Sequence, residues 1–149
     1  MDKYKPLFLL SLPKKHMNYR LLVGILFIAV SCQSSADKST EFFNAGLVYF
    51  EYNEYDAALL SFEESIKADP QNFEAYYYRG NCFLNMSDYD AAIVEFVKAT
   101  EINSDYADAY ANIGQAYFYL KDYQLACKYF QKAQDLGKYN LEDKLRHCN

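Results

Sequence analysis

Residues 73–106 read FEAYYYRGNCFLNMSDYDAAIVEFVKATEINSDY, and this stretch decides the fold. Its apolar residues recur at helical spacing in two segments of about a dozen residues each, joined by Met86-Ser87-Asp88. The same frame returns on either side. Gly46, Gly80 and Gly114 stand 34 residues apart, as do Tyr55, Tyr89 and Tyr123. Ala58, Ala92 and Ala126 keep that spacing, and so do Phe62, Phe96 and Phe130. Four series on one period mark an internal repeat whose unit is a helix pair, helix A then helix B. The flanking A–B turns are Tyr52-Asn53-Glu54 and Leu120-Lys121-Asp122. A Gly within helix A costs about 1 kcal/mol in propensity. It is expected where the neighbouring helix must come close, as are the small Ala residues of helix B. Asp69-Pro70 closes the first unit, as Pro does past a helix end; Ser104 and Lys138 stand there in the other two.

In each unit an aromatic opens helix A, Gly follows four residues later and a second aromatic three after that. The sets are Phe42-Gly46-Tyr49, Tyr76-Gly80-Phe83 and Tyr110-Gly114-Tyr117. This pattern resembles the tetratricopeptide repeat (TPR) over residues 39 to about 140. The resemblance implies an all-α, right-handed solenoid of three helix-turn-helix repeats, 39–72, 73–106 and 107–140. Three units are about the minimum that buries a continuous core. Beyond them, Leu141, Leu145 and Cys148 share one face of a short helix over 141–149, with Asn140 expected to cap it and Asp143 in its first turn. Such a helix covers the open end of the third repeat.

Composition agrees with one domain. The chain has 149 residues, 52% of them apolar, with only 5 Gly and 3 Pro, which counts against a β-sandwich or a Pro-rich linker. A formal charge of −5 and a pI near 5.0 argue against a nucleic-acid partner.

The N-terminus reads as an address. Arg20 precedes the apolar run Leu21–Val30, and Ser31-Cys32 and a polar stretch follow. Ten apolar residues rise only about 15 Å as a helix, too little for a bilayer core of roughly 30 Å. A removable signal over 1–31 is therefore expected rather than a membrane span. Ala29-Val30-Ser31-Cys32 resembles a bacterial lipobox, with Ala29 where that motif prefers Leu. The resemblance implies lipid attached at Cys32, a lipidated linker over 32–38 and a place in the cell envelope; Gln33 after the Cys resembles lipoproteins sent to the outer membrane. The other reading is an ordinary secretory signal, with Cys32 incidental, delivering the chain to the periplasm. Met17 begins a complete signal by itself and is the expected start; the alternative is a long, cationic leader over 1–16. Residues 1–31 carry Lys3, Lys5, Lys14, Lys15 and Arg20 against Asp2, a net +4, so −5 for the whole leaves −9 on the 118 residues from Cys32 on.

Three further Cys remain. Cys82 holds the helix-A position of Val48 and Ala116 and is expected to be a small buried hydrophobe. Cys127 holds the helix-B position of Leu59 and Ile93, which faces the next helix along; in the third repeat that is the cap. If the cap runs antiparallel to helix B, Cys127 and Cys148 lie about 15 Å from the reversal on each helix and should meet. An exporting compartment permits a disulfide; the alternative is two half-buried free thiols.

No catalytic constellation is present. The two His are His16 and His147, no metal-ligand spacing or phosphate loop occurs, and Glu63-Glu64 point to different azimuths of one helix. No enzyme activity, metal or cofactor is expected. The TPR resemblance implies a concave face lined by helix-A residues one, five, eight and nine after the opening aromatic. These are Phe43, Leu47, Phe50 and Glu51; Tyr77, Asn81, Leu84 and Asn85; and Ala111, Gln115, Phe118 and Tyr119. Aromatics among amides suit an extended peptide. The cationic clamp that some members use for a C-terminal carboxylate is missing, with only Arg79 nearby. The function expected is a non-enzymatic protein- or peptide-binding adaptor or scaffold, lipid-tethered within an envelope assembly complex. Two rivals are a self-associating structural module, whose exposed aromatics stack copies end to end, and an accessory subunit of a cell-wall or polysaccharide enzyme.

Overall fold

The computed structural model describes residues 19–138, 140–146 and 148, and only the backbone of residues 19–34. The described residues form α1 (Tyr19–Glu51), α2 (Tyr55–Ala68), α3 (Phe73–Asn85), α4 (Tyr89–Ile102), α5 (Ala107–Tyr119), α6 (Tyr123–Asp135) and α7 (Glu142–Leu145). Helices α1, α3 and α5 are the A helices; α2, α4 and α6 are the B helices. Each A helix packs on its own B helix, and each pair stacks on the next. The result is an all-α solenoid of three helix pairs with a short C-terminal helix.

The A–B turns are tight. Asn53, Ser87 and Lys121 take positive φ of 60°, 66° and 64°. In each turn two backbone N–H groups reach back to the last carbonyls of helix A, as in Ser87 N to Leu84 O (3.1 Å) and Asp88 N to Phe83 O (2.9 Å). This is the Schellman arrangement, here without Gly at the left-handed position. The next residue starts helix B: the Asp88 and Asp122 carboxylates accept from Ala91 N and Leu125 N. In the B–A turns, the side chains of Asp69 and Asn103 accept from Gln71 N and Asp105 N.

The repeated Gly makes the close approach possible. A Cβ on Gly46, Gly80 or Gly114 would lie 2.5, 2.7 or 2.7 Å from a ring carbon of Phe62, Phe96 or Phe130 respectively. Those three rings are the largest fully buried side chains, beside the buried Ala58, Ala92 and Ala126. One buried polar knot marks where the solenoid starts. Ser39 Oγ donates to Ser65 O (3.0 Å), Ser65 Oγ donates to Ser39 O (2.9 Å), and Asn72 Nδ2 reaches both hydroxyls. Every buried hydroxyl there is satisfied, and α1, α2 and the start of α3 are tied together.

Two expectations change at the ends. Residues 32–38, expected as a linker, continue α1; no Gly or Pro between Cys32 and Lys38 interrupts the helix. The cap helix is shorter than 141–149. Its N-cap is Leu141, without a side-chain bond, because Asn140 takes φ 67° and stands outside it. Met17 and the rest of residues 1–18 lie outside the described residues, as does the Cys32 side chain. Among the described residues, no helix is long and apolar enough to cross a membrane.

Gly80→Ala tests the helix–helix approach. Helix propensity alone would stabilise the variant by about 1 kcal/mol, whereas overpacking Phe96 costs typically 1–3 kcal/mol. A net loss of stability is expected in urea unfolding; a gain would mean that the ring moves aside freely.

Candidate functional site

The A helices line one face of the solenoid, and the residue two places after each opening aromatic sits at the seam between neighbouring A helices. In α3 it is Tyr78 and in α5 it is Asn112, one period later. Tyr78 fills the α1–α3 seam. Its ring packs edge-on against Phe43 (5.7 Å) and Phe50 (5.9 Å) and stacks on Phe62 (5.9 Å). Phe43, Leu47 and Phe50 are consequently half-buried in the cluster of Ala58, Phe62 and Cys82. This part of the face is apolar.

The α3–α5 seam is polar. Asn112 Nδ2 donates to Asn81 Oδ1 (2.7 Å) and to the Tyr77 hydroxyl (3.3 Å). The Tyr77 ring lies against Phe96 and Tyr106, and burial raises its hydroxyl pKa. Leu84 packs with Ala92, Phe96 and Ile113. Asn85 is exposed, its amide donating to Asn81 O (2.9 Å).

The cap supplies the last seam. Lys144 donates to Gln115 Oε1 and lies over the Phe130 ring at 5.0 Å. Burial, and then the Lys138 charge, lower its pKa. Gln115, Phe118, Asp143 and Lys144 enclose a cleft of about 180 Å³. Lys138 pairs with Asp108 nearby. Along the face the chemistry therefore runs from aromatic to amide to cationic.

Several expected groove residues do not join this line. Ala111 is buried under the cap with Leu141. Tyr119 turns to the A–B edge, where it stacks on Tyr89 (4.9 Å); Glu51 ends α1 in solvent. Arg79 stays off this face: its Nη2 donates to both carboxylate oxygens of Glu95 (2.8 Å each), and its guanidinium lies 5.5 Å over the Tyr76 ring. Sequence reasoning missed Tyr78, Asn112 and Lys144. The first two occupy equivalent places on the 34-residue period, so the period itself could have found them.

Cys82 is fully buried, and burial pushes its thiol up to about 12. Cys127 and Cys148 are joined as a disulfide, with Cα atoms 5.4 Å apart. Together with Leu141, only 4% exposed, and Leu145 beside it, the bond fixes α7 over the end of α6. Among the described residues, no group of three His, Cys, Asp or Glu is placed to hold a metal.

Two family models, both described as tetratricopeptide repeat, match residues 43–106 and 107–138. The chain belongs to the tetratricopeptide-repeat family. No curated protein sequence matches it. Among solved structures, the first TPR of Spaghetti (RPAP3), bound to the HSP90 peptide SRMEEVD, is 26% identical, with a TM-score of 0.71 over 74% of this chain and 90% of that one. The Arabidopsis OM64 TPR domain is 23% identical, with a TM-score of 0.72 over 75% and 94%. MamA is 27% identical, with a TM-score of 0.66, covering 75% of this TPR chain and 63% of MamA.

Reducing the Cys127–Cys148 bond frees a loop of about twenty residues, worth roughly 3 kcal/mol in the chain-entropy description. Cys148→Ser is expected to lower the urea midpoint and to expose the α6 end to hydrogen exchange first. Unchanged exchange at α6 would show that the cap holds without the bond.

Proposed function

We propose that this TPR protein is a non-enzymatic adaptor that holds an extended segment of a partner protein along its A-helix face. The observation that carries this reading is the Asn81–Asn112–Tyr77 network. Its amides and hydroxyl stand half-buried between an aromatic wall and a cationic end. Side-chain amides can pair with both the N–H and C=O groups of an extended backbone. The aromatic wall suits apolar side chains, and the Lys144 end suits acidic ones. That the first TPR of Spaghetti (RPAP3) is bound to a peptide supports a peptide as the class of ligand.

The adaptor is tethered, in this reading, by lipid on Cys32 in a bacterial envelope, in an outer-membrane assembly complex. The support is the Arg20, Leu21–Val30, Cys32 pattern and the acidic chain that follows. Two or three acyl chains hold a protein on a membrane stably where one holds it marginally. From Cys32 to Glu51, α1 would rise about 30 Å, which carries the A–B turns well away from the attachment point.

Two measurements test the two halves. The protein taken from its native membrane is expected to have an intact mass that begins at Cys32 with added acyl mass; a mass that begins at Met1 or Met17 without lipid removes the tether. The double variant Asn81→Ala/Asn112→Ala is expected to lose most of the partner protein that co-purifies with the wild type while keeping its helical signal. Undiminished co-purification would move the binding site elsewhere.

A further inference from the structure

The last seam of the A-helix face is built differently from the other two. Tyr78 and Asn112 fill theirs from helices of the repeat, whereas Lys144 reaches its seam from α7, a helix of four residues. So short a helix has no stability of its own in water. Leu141, Leu145 and the Cys127–Cys148 bond attach it to the end of the solenoid. Nor does Lys144 hold itself in place. Its ammonium is half-buried, and it donates to the neutral amide oxygen of Gln115. Among the described residues no carboxylate pairs with it. Asp143, beside it in the cleft, pairs with Arg146 (3.3 Å), and Asp108 pairs with Lys138. Desolvation and the Lys138 charge both disfavour the ammonium there, which is why its pKa is lowered. The Phe130 ring, 5.0 Å away, offsets part of this. A cation in an unfavourable place, on a helix too short to stand, depends on a covalent hold.

We propose that the Cys127–Cys148 bond is a redox latch on the groove: oxidised, it holds Lys144 at the last seam; reduced, it lets α7 leave and the cationic end of the face go with it. The proposal rests on the A-helix face being the binding face. The opening step is thiol–disulfide exchange with a dithiol reductant, such as the paired cysteines of an oxidoreductase. One thiolate of the dithiol attacks a sulfur of the bond and forms a mixed disulfide; the second then displaces the protein sulfur and leaves the reductant as its own disulfide. Two electrons and two protons end on Cys127 and Cys148. Both residues keep partial exposure to solvent, unlike Cys82, which is fully buried and stays out of the exchange. Opening uncovers the cluster under Leu141 and dissolves the cleft of Gln115, Phe118, Asp143 and Lys144. The Asn81–Asn112–Tyr77 network lies one seam away and stays. The open state therefore keeps the amide seam and loses the preference for an acidic segment. Linkage makes the effect reciprocal: an acidic partner segment seated on Lys144 supplies the missing carboxylate and stabilises the closed state.

Two readouts test the latch. A lysine-specific protease is expected to cut after Lys144 about tenfold faster in dithiol-treated than in oxidised protein, because cleavage follows local opening. Fragments are separated by reduction after quenching and read by mass. The bonds after Lys67 and Lys98, in α2 and α4, are expected to stay protected in both states. Cys127→Ser/Cys148→Ser is expected to be cut at the fast rate with or without dithiol. In the native envelope, a photoreactive phenylalanine analogue in place of Phe118 is expected to give several-fold less partner adduct in Cys127→Ser/Cys148→Ser. Lys144→Met, whose bond is intact, is expected to lose as much. Equal cleavage in the two redox states, loss of the helical signal on reduction, or an adduct that either variant leaves undiminished would each overturn the latch. No adduct even from the wild-type background would count against the binding face instead, and the cleavage rates would then decide the latch alone.

Discussion

The contact on which the rest depends is a benzyl ring seated on a glycine. Ring carbons of Phe62, Phe96 and Phe130 lie only 2.5, 2.7 and 2.7 Å from where a Cβ on Gly46, Gly80 or Gly114 would be. Gly is the weak point of a helix in isolation, yet here it lets helices A and B approach far enough to bury a whole ring. The ring, once buried, fixes the depth at which B sits against A. Because this happens three times on one period, each pair presents the same edges to the next, and the stack follows. Packing at this density leaves no room for a side chain on the glycine.

From that frame comes the division of labour along the A-helix face. Inner positions are spent on the Gly–Phe approach, so only the seams between A helices are free to vary. Tyr78 fills one with a ring, Asn112 the next with an amide, and Lys144 from the cap the last with a charge. A repeat fold can change its ligand by changing those seam residues without disturbing its core. The step from TPR fold to peptide binding rests on these residues, since a shared fold does not carry function by itself.

Much of this was legible in the sequence because a repeat writes its geometry several times. The period of 34 located the helices, the A–B turns and the buried Phe and Ala series. The reversal near residue 138 placed Cys127 and Cys148 on facing segments, and the structure joins them. What the sequence hid was whatever the period does not repeat. The seam residues Tyr78 and Asn112 share a place on the period but differ in chemistry, so the period could flag their position but no repeated residue type did. Lys144 reaches the face from a four-residue helix outside the repeats. Phe43, Leu47 and Phe50 are half-buried because an aromatic, not an amide, fills their seam. Val48 is exposed although Cys82 and Ala116 are buried, because burial there depends on a preceding repeat.

The most direct test of the binding face is photocrosslinking in the native envelope. A photoreactive phenylalanine analogue replaces Phe118, at the lip of the Gln115–Lys144 cleft, or Lys128, exposed on helix B. A discrete adduct with one partner protein from position 118, and none from 128, is the predicted result. An adduct from 128 with none from 118 would contradict it and place the partner on the B-helix side of the solenoid.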